Sequence, residues 1–477
     1  MRHARKALLL GLAAALVGGA ATAQVDLSRY VALGDSLTAG VSSGSLTKSF
    51  QDYSFPALIA RQAGVTNFQQ PLISDPGIPQ ILKLNALVVN PAIPGGISPV
   101  IAATPGATGM PLNATLATPY NNLGIPGANT ADLLTRTGNI TNLLTGHIDP
   151  STIMYDLVLR DGQHTAIQQA LGLQPTFVTV WAGSNDALGA FEAGVAIDDV
   201  TLTTTATFQQ TYQTLLGAIK QNAPNAKVVV TTIQEILPYA TALKPYLINP
   251  ANGSHIPLIG ANGMITEQDY LTLPAAALLA QGIGIPTQAG GTGQPLPEGY
   301  VDAQGKLHAG VVVRAATFTK VMQRVTEFNA VIKATAQAMG YPVVDMNAAY
   351  ANWAANGYMV GGIKLTTAFL TGGIFSYDGM HDTRLGYALV ANEFIKVINK
   401  GYGGKIPLVD LRPFLDGTPS TTSVAAASFS VSTEAAKQMI TMLHPGILTD
   451  QLDANTHVIR RHIAERPDRV PAGQINP

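Results

Sequence analysis

The sequence predicts an α/β fold built on a parallel sheet with helices on both faces. Two observations predict it. Short runs of apolar and β-branched residues alternate with segments of helical spacing, the order that gives parallel strands joined by helical crossovers. Ser36, Asn185 and the Asp378–His381 pair each follow a strand or introduce a helix, and in such sheets reactive groups collect beyond the carboxyl ends of the strands.

Taken in order, the chain opens with Arg2, Arg5 and Lys6, an apolar run from Ala7 to about Ala20, and the small residues Ala21-Thr22-Ala23. That pattern is a secretory signal over residues 1–23, not an anchor. The expectation is a bacterial protein that is periplasmic or secreted, with a mature chain starting near Gln24. Tyr30-Val31-Ala32-Leu33 reads as a buried strand running into Gly34-Asp35-Ser36. There a sharp turn lifts a small hydroxyl off the sheet edge. Tyr53 to Gly64 has helical spacing. From Leu84 to Ala131 there is no charged residue and no histidine, while Pro and Gly recur. The expectation is a long loop packed over the domain, lining an apolar cleft on its sharper reading.

Beyond it, a helix is expected to start at Ala131-Asp132-Leu133-Leu134, another between Pro150 and Leu171, and a strand over Thr176–Ala182 leading into Gly183-Ser184-Asn185-Asp186. Thr205 to Gln221 reads as helix and Lys227–Thr232 as strand. A loop-rich insertion spans about 238–310. A helix over Ala315–Met339, a strand at Tyr341–Asp345 and a last helix from Thr383 to Asn399 complete a domain of 24–404. Residues 405–477 form a C-terminal extension, with helical spacing over Thr433–Leu443.

Composition narrows the classes of function. The 477 residues suit one large domain with insertions, or two or three smaller ones, and 47% apolar content is ample for a core. Charged residues are 12% and the formal net charge is −1, with no basic cluster of the kind nucleic acid or acidic lipid attracts. Cysteine is absent, which excludes disulfides, thiolate metal sites and lipoprotein anchoring. No later stretch reaches the ~18 apolar residues of a membrane span.

The chemistry is legible as an acyl-transfer set: a nucleophile, a base, a group that orients the base, and donors for an oxyanion. Ser36 is the candidate nucleophile. A rival lies at Gly40-Val41-Ser42-Ser43-Gly44, a G-x-S-x-G pattern, but no strand leads straight into it, so Ser42 is read as a loop residue. His381 is the candidate base, with Asp378 three residues before it to orient one imidazole nitrogen. A second D-x-x-H, Asp161 to His164, has no strand feeding it and is read as an ordinary solvated face. Gly127 offers an unobstructed backbone N–H and Asn185 a side-chain amide for the oxyanion. No histidine pair has metal-ligand spacing.

These blocks, in this order, resemble the GDSL, or SGNH, family of serine esterases and lipases. Gly34-Asp35-Ser36-Leu37 resembles its nucleophile block, Asn122 through Gly127 its glycine block, Gly183-Ser184-Asn185-Asp186 its G-x-N-D block, and Asp378-x-x-His381 its final D-x-x-H. The resemblance implies a flavodoxin-like three-layer α/β/α sandwich. It implies Ser36 as nucleophile and backbone donor, Gly127 and Asn185 completing the oxyanion hole, and His381 as base oriented by Asp378, without metal or organic cofactor. Insertions at about 65–120 and 238–310 exceed those of compact members. The expected activity is hydrolysis of carboxylic esters, lipid-like or otherwise apolar in the acyl group, with a small-molecule or lipid ester as the partner. The alternatives are a carbohydrate O-acetyl esterase of the same fold and a non-catalytic envelope binding protein.

Overall fold

The computed structural model describes residues 25–89, 97–103, 108–234, 237–249, 251–415, 429–444 and 446–453. The expected signal segment lies outside the described residues. In chain order the strands that matter are β1 (Tyr30–Gly34), β2 (Leu82–Val89), β3 (Ile97–Ala103), β4 (Asn122–Gly124), β5 (Phe177–Trp181), β6 (Lys227–Thr231), β7 (Val343–Val344) and β8 (Ser430–Val431). The helices that matter are α1 (Ser36–Ala39), α2 (Phe55–Gln62), α3 (Ile153–Leu159), α4 (Ala166–Gly172), α5 (Ser184–Ala193), α6 (Thr205–Asn222), α7 (Ala315–Met339), α8 (Arg384–Tyr402) and α9 (Thr433–Leu443).

A central parallel sheet of five strands, ordered β7-β6-β5-β1-β4, carries the molecule. Successive residues of a strand point to opposite faces, and here the two faces feed two separate apolar layers. Val31, Leu33, Val178, Val180, Val228 and Val230 pack with α4, α6 and α7. Tyr30, Ala32, Phe177, Trp181 and Val229 pack with α2 and α8. This is the expected three-layer sandwich. Strands buried on both faces read as unbroken apolar runs, which is why β1, β5 and β6 were visible in the sequence. On the second face Phe55 stacks on Phe394 at 4.5 Å and tilts against Trp181 at 5.6 Å.

Two expectations are corrected. The uncharged 84–131 stretch is not one long loop: β2 and β3 pair antiparallel, and β4 is the edge strand of the central sheet. Proline argued against strands there, yet the β2–β3 register shifts between Asn85 and Val88, opposite the region of Pro99. An irregular ladder accommodates a residue without an N–H. The helix expected between Pro150 and Leu171 is two helices, α3 and α4, divided where Arg160 takes φ +62° and Gly162 φ +72°.

The described part of the region 238–310 contains short two-stranded pairs, a helical turn at Leu237–Ala240, a 3-10 turn at Thr287–Ala289 and a small helix, Ala275–Leu279, packed on the main core. The described part of the C-terminal extension joins the body. β8 pairs parallel with β3, and α9 packs against α5 and β3. Among the described residues no helix is long and apolar enough to cross a membrane.

Candidate active site

β1 delivers Ser36 to the end of the sheet. A Cβ on Gly34 would lie 2.2 Å from Thr38 Oγ1 and 2.4 Å from the Trp181 carbonyl oxygen, so the chain leaves the strand through a position only glycine fills. Asp35 caps α1, its Oδ1 accepting from the Leu37 N–H at 3.0 Å. Ser36 is the first residue of that helix and is 4% exposed. Gly40, at φ +84°, ends the helix in the left-handed region.

The Asp378–His381 turn precedes α8. Asp378 Oδ1 accepts the N–H groups of Met380 (3.0 Å) and His381 (2.8 Å). Its Oδ2 accepts the Gly44 N–H at 2.6 Å and faces His381 Nδ1 at 3.0 Å. Burial alone would push this carboxyl up; the His381 ring and the hydrogen bonds overcome it and hold Asp378 below the ordinary carboxylate range. The carboxylate is therefore ionised beside the imidazole, and its contact fixes Nδ1 as the proton-bearing nitrogen. Nε2 is left as the acceptor.

Burial pushes the Asp35 carboxyl up to about 6, opposed by the Leu37 N–H, the Ser184 hydroxyl and the nearby His381 ring. Among the described residues no hydrogen bond joins Ser36 Oγ to the imidazole. Contacts between nucleophile and base are often long before substrate arrives. Both residues are nearly buried, Ser36 4% and His381 2% exposed.

The other two blocks are tied to each other. β4 leads into the turn carrying Gly127, which has φ +80°. β5 leads through Gly183 into α5, which begins with Ser184 and Asn185. Asn185 Nδ2 donates to the Ala128 carbonyl at 2.8 Å, and Asp186 Oδ2 accepts the Thr130 N–H at 2.8 Å and its hydroxyl at 2.9 Å. Gly127 and Asn185 are partly exposed, whereas Asp186 is 2% exposed. Among the described residues neither the Ser36 N–H nor the Gly127 N–H has an acceptor within the chain. Two backbone N–H groups and the second amide hydrogen of Asn185 thus have no acceptor among the described residues.

The family model of the GDSL-like Lipase/Acylhydrolase matches residues 30–394, from the first strand into the last long helix. The chain belongs to the GDSL-like lipase/acylhydrolase family. Membership makes this protein an ester hydrolase. Among solved structures it is similar to a protein described as a GDSL-like lipase, from Parabacteroides merdae, at 12% identity and TM-score 0.30, covering 80% of this chain and 100% of the other. It is also similar to an alpha/beta hydrolase enzyme from the metagenome of Lake Arreo, Spain, at 12% identity and TM-score 0.31, covering 78% of this chain and 94% of the other. No curated protein matches the chain.

Two rivals are placed elsewhere. Ser42 sits in a tight turn after α1, exchanging backbone hydrogen bonds with Ser45. Asp161 and His164 lie at the surface between α3 and α4, with side chains 43% and 56% exposed. Sequence reasoning missed Gly44, whose N–H meets Asp378, and Thr130, which Asp186 holds. Gly44 stood in plain view as the last glycine of the rejected G-x-S-x-G stretch.

Proposed function

We propose that this family member is an exported carboxylic-ester hydrolase acting through Ser36, His381 and Asp378 and an acyl-enzyme. The observation that carries the reading is the Asp378 carboxylate, buried and held by three backbone N–H groups and the His381 ring. In this mechanism His381 Nε2 takes the proton as Ser36 Oγ attacks the ester carbonyl. The Ser36 and Gly127 N–H groups and the Asn185 amide take the oxyanion. His381 then returns the proton to the leaving alcohol, and a water repeats the sequence to free the acid.

An apolar acyl group is favoured by the cavity next to the Asp378–His381 turn. Leu188, Ile233, Tyr239, Phe375 and Met380 line it, with Ser184 and Gln234 as polar members. The N-terminal pattern of residues 1–23 supports export. Hydrolysis of p-nitrophenyl esters of rising chain length tests the acyl preference. Turnover that persists beyond acetyl is expected; activity confined to acetyl esters would replace the apolar reading by a carbohydrate O-acetyl esterase. Ser36→Ala should abolish turnover while the circular dichroism spectrum is kept, and an inactive wild-type protein would favour a binding role.

A further inference from the structure

The turn after α1 meets three distant segments. Ser43 N–H donates to Ser376 Oγ at 2.7 Å, Gly44 N–H donates to Asp378 Oδ2 at 2.6 Å, and Ser43 carbonyl accepts from the Leu82 N–H at 2.9 Å. The last partner comes from α9, in the C-terminal extension. Gln438 Nε2 donates one hydrogen to the Gly44 carbonyl at 3.0 Å and the other to the Gln80 carbonyl at 2.5 Å. Gln438 is 9% exposed, and both amide hydrogens are used. Gly44 is therefore gripped from both sides: its N–H by the carboxylate, its carbonyl by Gln438. Its φ of +63° is the left-handed conformation that a free glycine leaves readily.

We infer that Gln438 is a positioning residue for the reaction: the C-terminal extension reaches back through it to fix the Gly44 peptide, and so the Asp378 carboxylate that orients His381. The chain of contacts is continuous, from α9 to Gln438, Gly44, Asp378 and the imidazole. α9 is itself anchored independently. Ser432 caps it and donates its N–H to the Ile101 carbonyl of β3 at 2.9 Å, and Ile440 is fully buried. A rigid helix holding a buried donor onto a left-handed glycine restrains that glycine, whereas a solvent-exposed turn would sample other conformations. The extension in this reading is part of the catalytic frame.

The inference rests on the roles proposed for Asp378 and His381, so Ser36→Ala is measured beside it. In the full-length protein, Gln438→Met keeps side-chain length and removes both donors. Gln438→Glu is the second variant, with oxygens that cannot donate when ionised. Ile440→Val trims the same helix away from Gly44. For Gln438→Met the expected result is a fall in kcat of roughly ten-fold, the size of one lost orienting hydrogen bond, at unchanged KM for p-nitrophenyl butyrate. The low-field proton resonance of the His381–Asp378 hydrogen bond should move or broaden with it. Ile440→Val should lower the melting temperature and leave both untouched. A folded Gln438→Met with wild-type kcat and an unmoved resonance overturns the inference, and if that variant is insoluble Gln438→Glu is judged by the same criterion. Insolubility of both would assign Gln438 to folding alone and overturn it too. Turnover surviving in Ser36→Ala would instead defeat the esterase site itself.

Discussion

Asn185 donates its side-chain amide to the carbonyl of Ala128 at 2.8 Å, one residue past Gly127, so the two proposed oxyanion donors share one frame. Replacing Asn185 by alanine removes a donor and the clamp together. The expected loss in kcat is ~10²–10³ with KM little changed, because the amide acts where charge develops rather than on the resting ester. Steady-state kinetics on a short-chain ester would show it; an equal loss in kcat/KM carried wholly by KM would place Asn185 in ground-state binding.

Asp186 should act at one remove. Its Oδ2 accepts both hydrogen bonds from Thr130, and burial raises its carboxyl while those bonds oppose the rise. Asp186→Ala leaves two buried donors unpaired, a loss of about 1–3 kcal/mol for each such group, and lets the Gly127 turn drift. A kcat roughly ten-fold lower and a reduced melting temperature are expected. Asp186→Asn retains an acceptor oxygen and should keep most of the activity.

Glu192 gives a stability signature. It lies on α5 with no exposed surface, beside the Tyr239 hydroxyl. Burial pushes it up from the ordinary 4.5 to about 8, the Tyr239 hydroxyl opposing and the Asp378 charge adding. The folded protein thus keeps this proton where the unfolded chain has lost it. Its contribution to stability is whole below about 4.5 and is lost as pH rises to about 8. Glu192→Gln stays neutral throughout. Its melting temperature should gain on wild type progressively from pH 5 to 8 and hold a constant lead above that; a lead independent of pH would mean that Glu192 is ionised in the fold.

Gly34→Ala tests the entrance to the nucleophile turn. The added carbon would sit 2.2 Å from Thr38 Oγ1 and 2.4 Å from the Trp181 carbonyl oxygen, and the backbone oxygen has nowhere to go. Overpacking of this kind costs about 1–3 kcal/mol or more. Urea unfolding should show the lowered midpoint at unchanged slope.

The sequence made the central strands plain because burial on two faces writes a continuous apolar run. It made β2, β3 and β8 obscure because their partners lie far away: β8 joins β3 across more than three hundred residues, and no local pattern announces such a pairing. The two D-x-x-H stretches show the limit for the site. Asp161 Oδ1 accepts the N–H groups of Gln163 and His164, and its Oδ2 faces His164 Nδ1 at 2.7 Å, the same turn that Asp378 makes. Spacing alone dictates that geometry in both places. Only tertiary structure distinguishes them, through the Gly44 N–H on Asp378 and a side-chain exposure of 2% for His381 against 56% for His164.

Gly44 meets Asp378 across 334 positions and Gln438 across 394. Both partners are made long after Gly44 has left the ribosome. On the proposed roles, the Ser36 alcohol has no base within reach until His381 has been made, and a shorter nascent chain is expected to be inert toward esters. On the inference drawn for Gln438, the full rate waits further, until α9 has docked on Gly44.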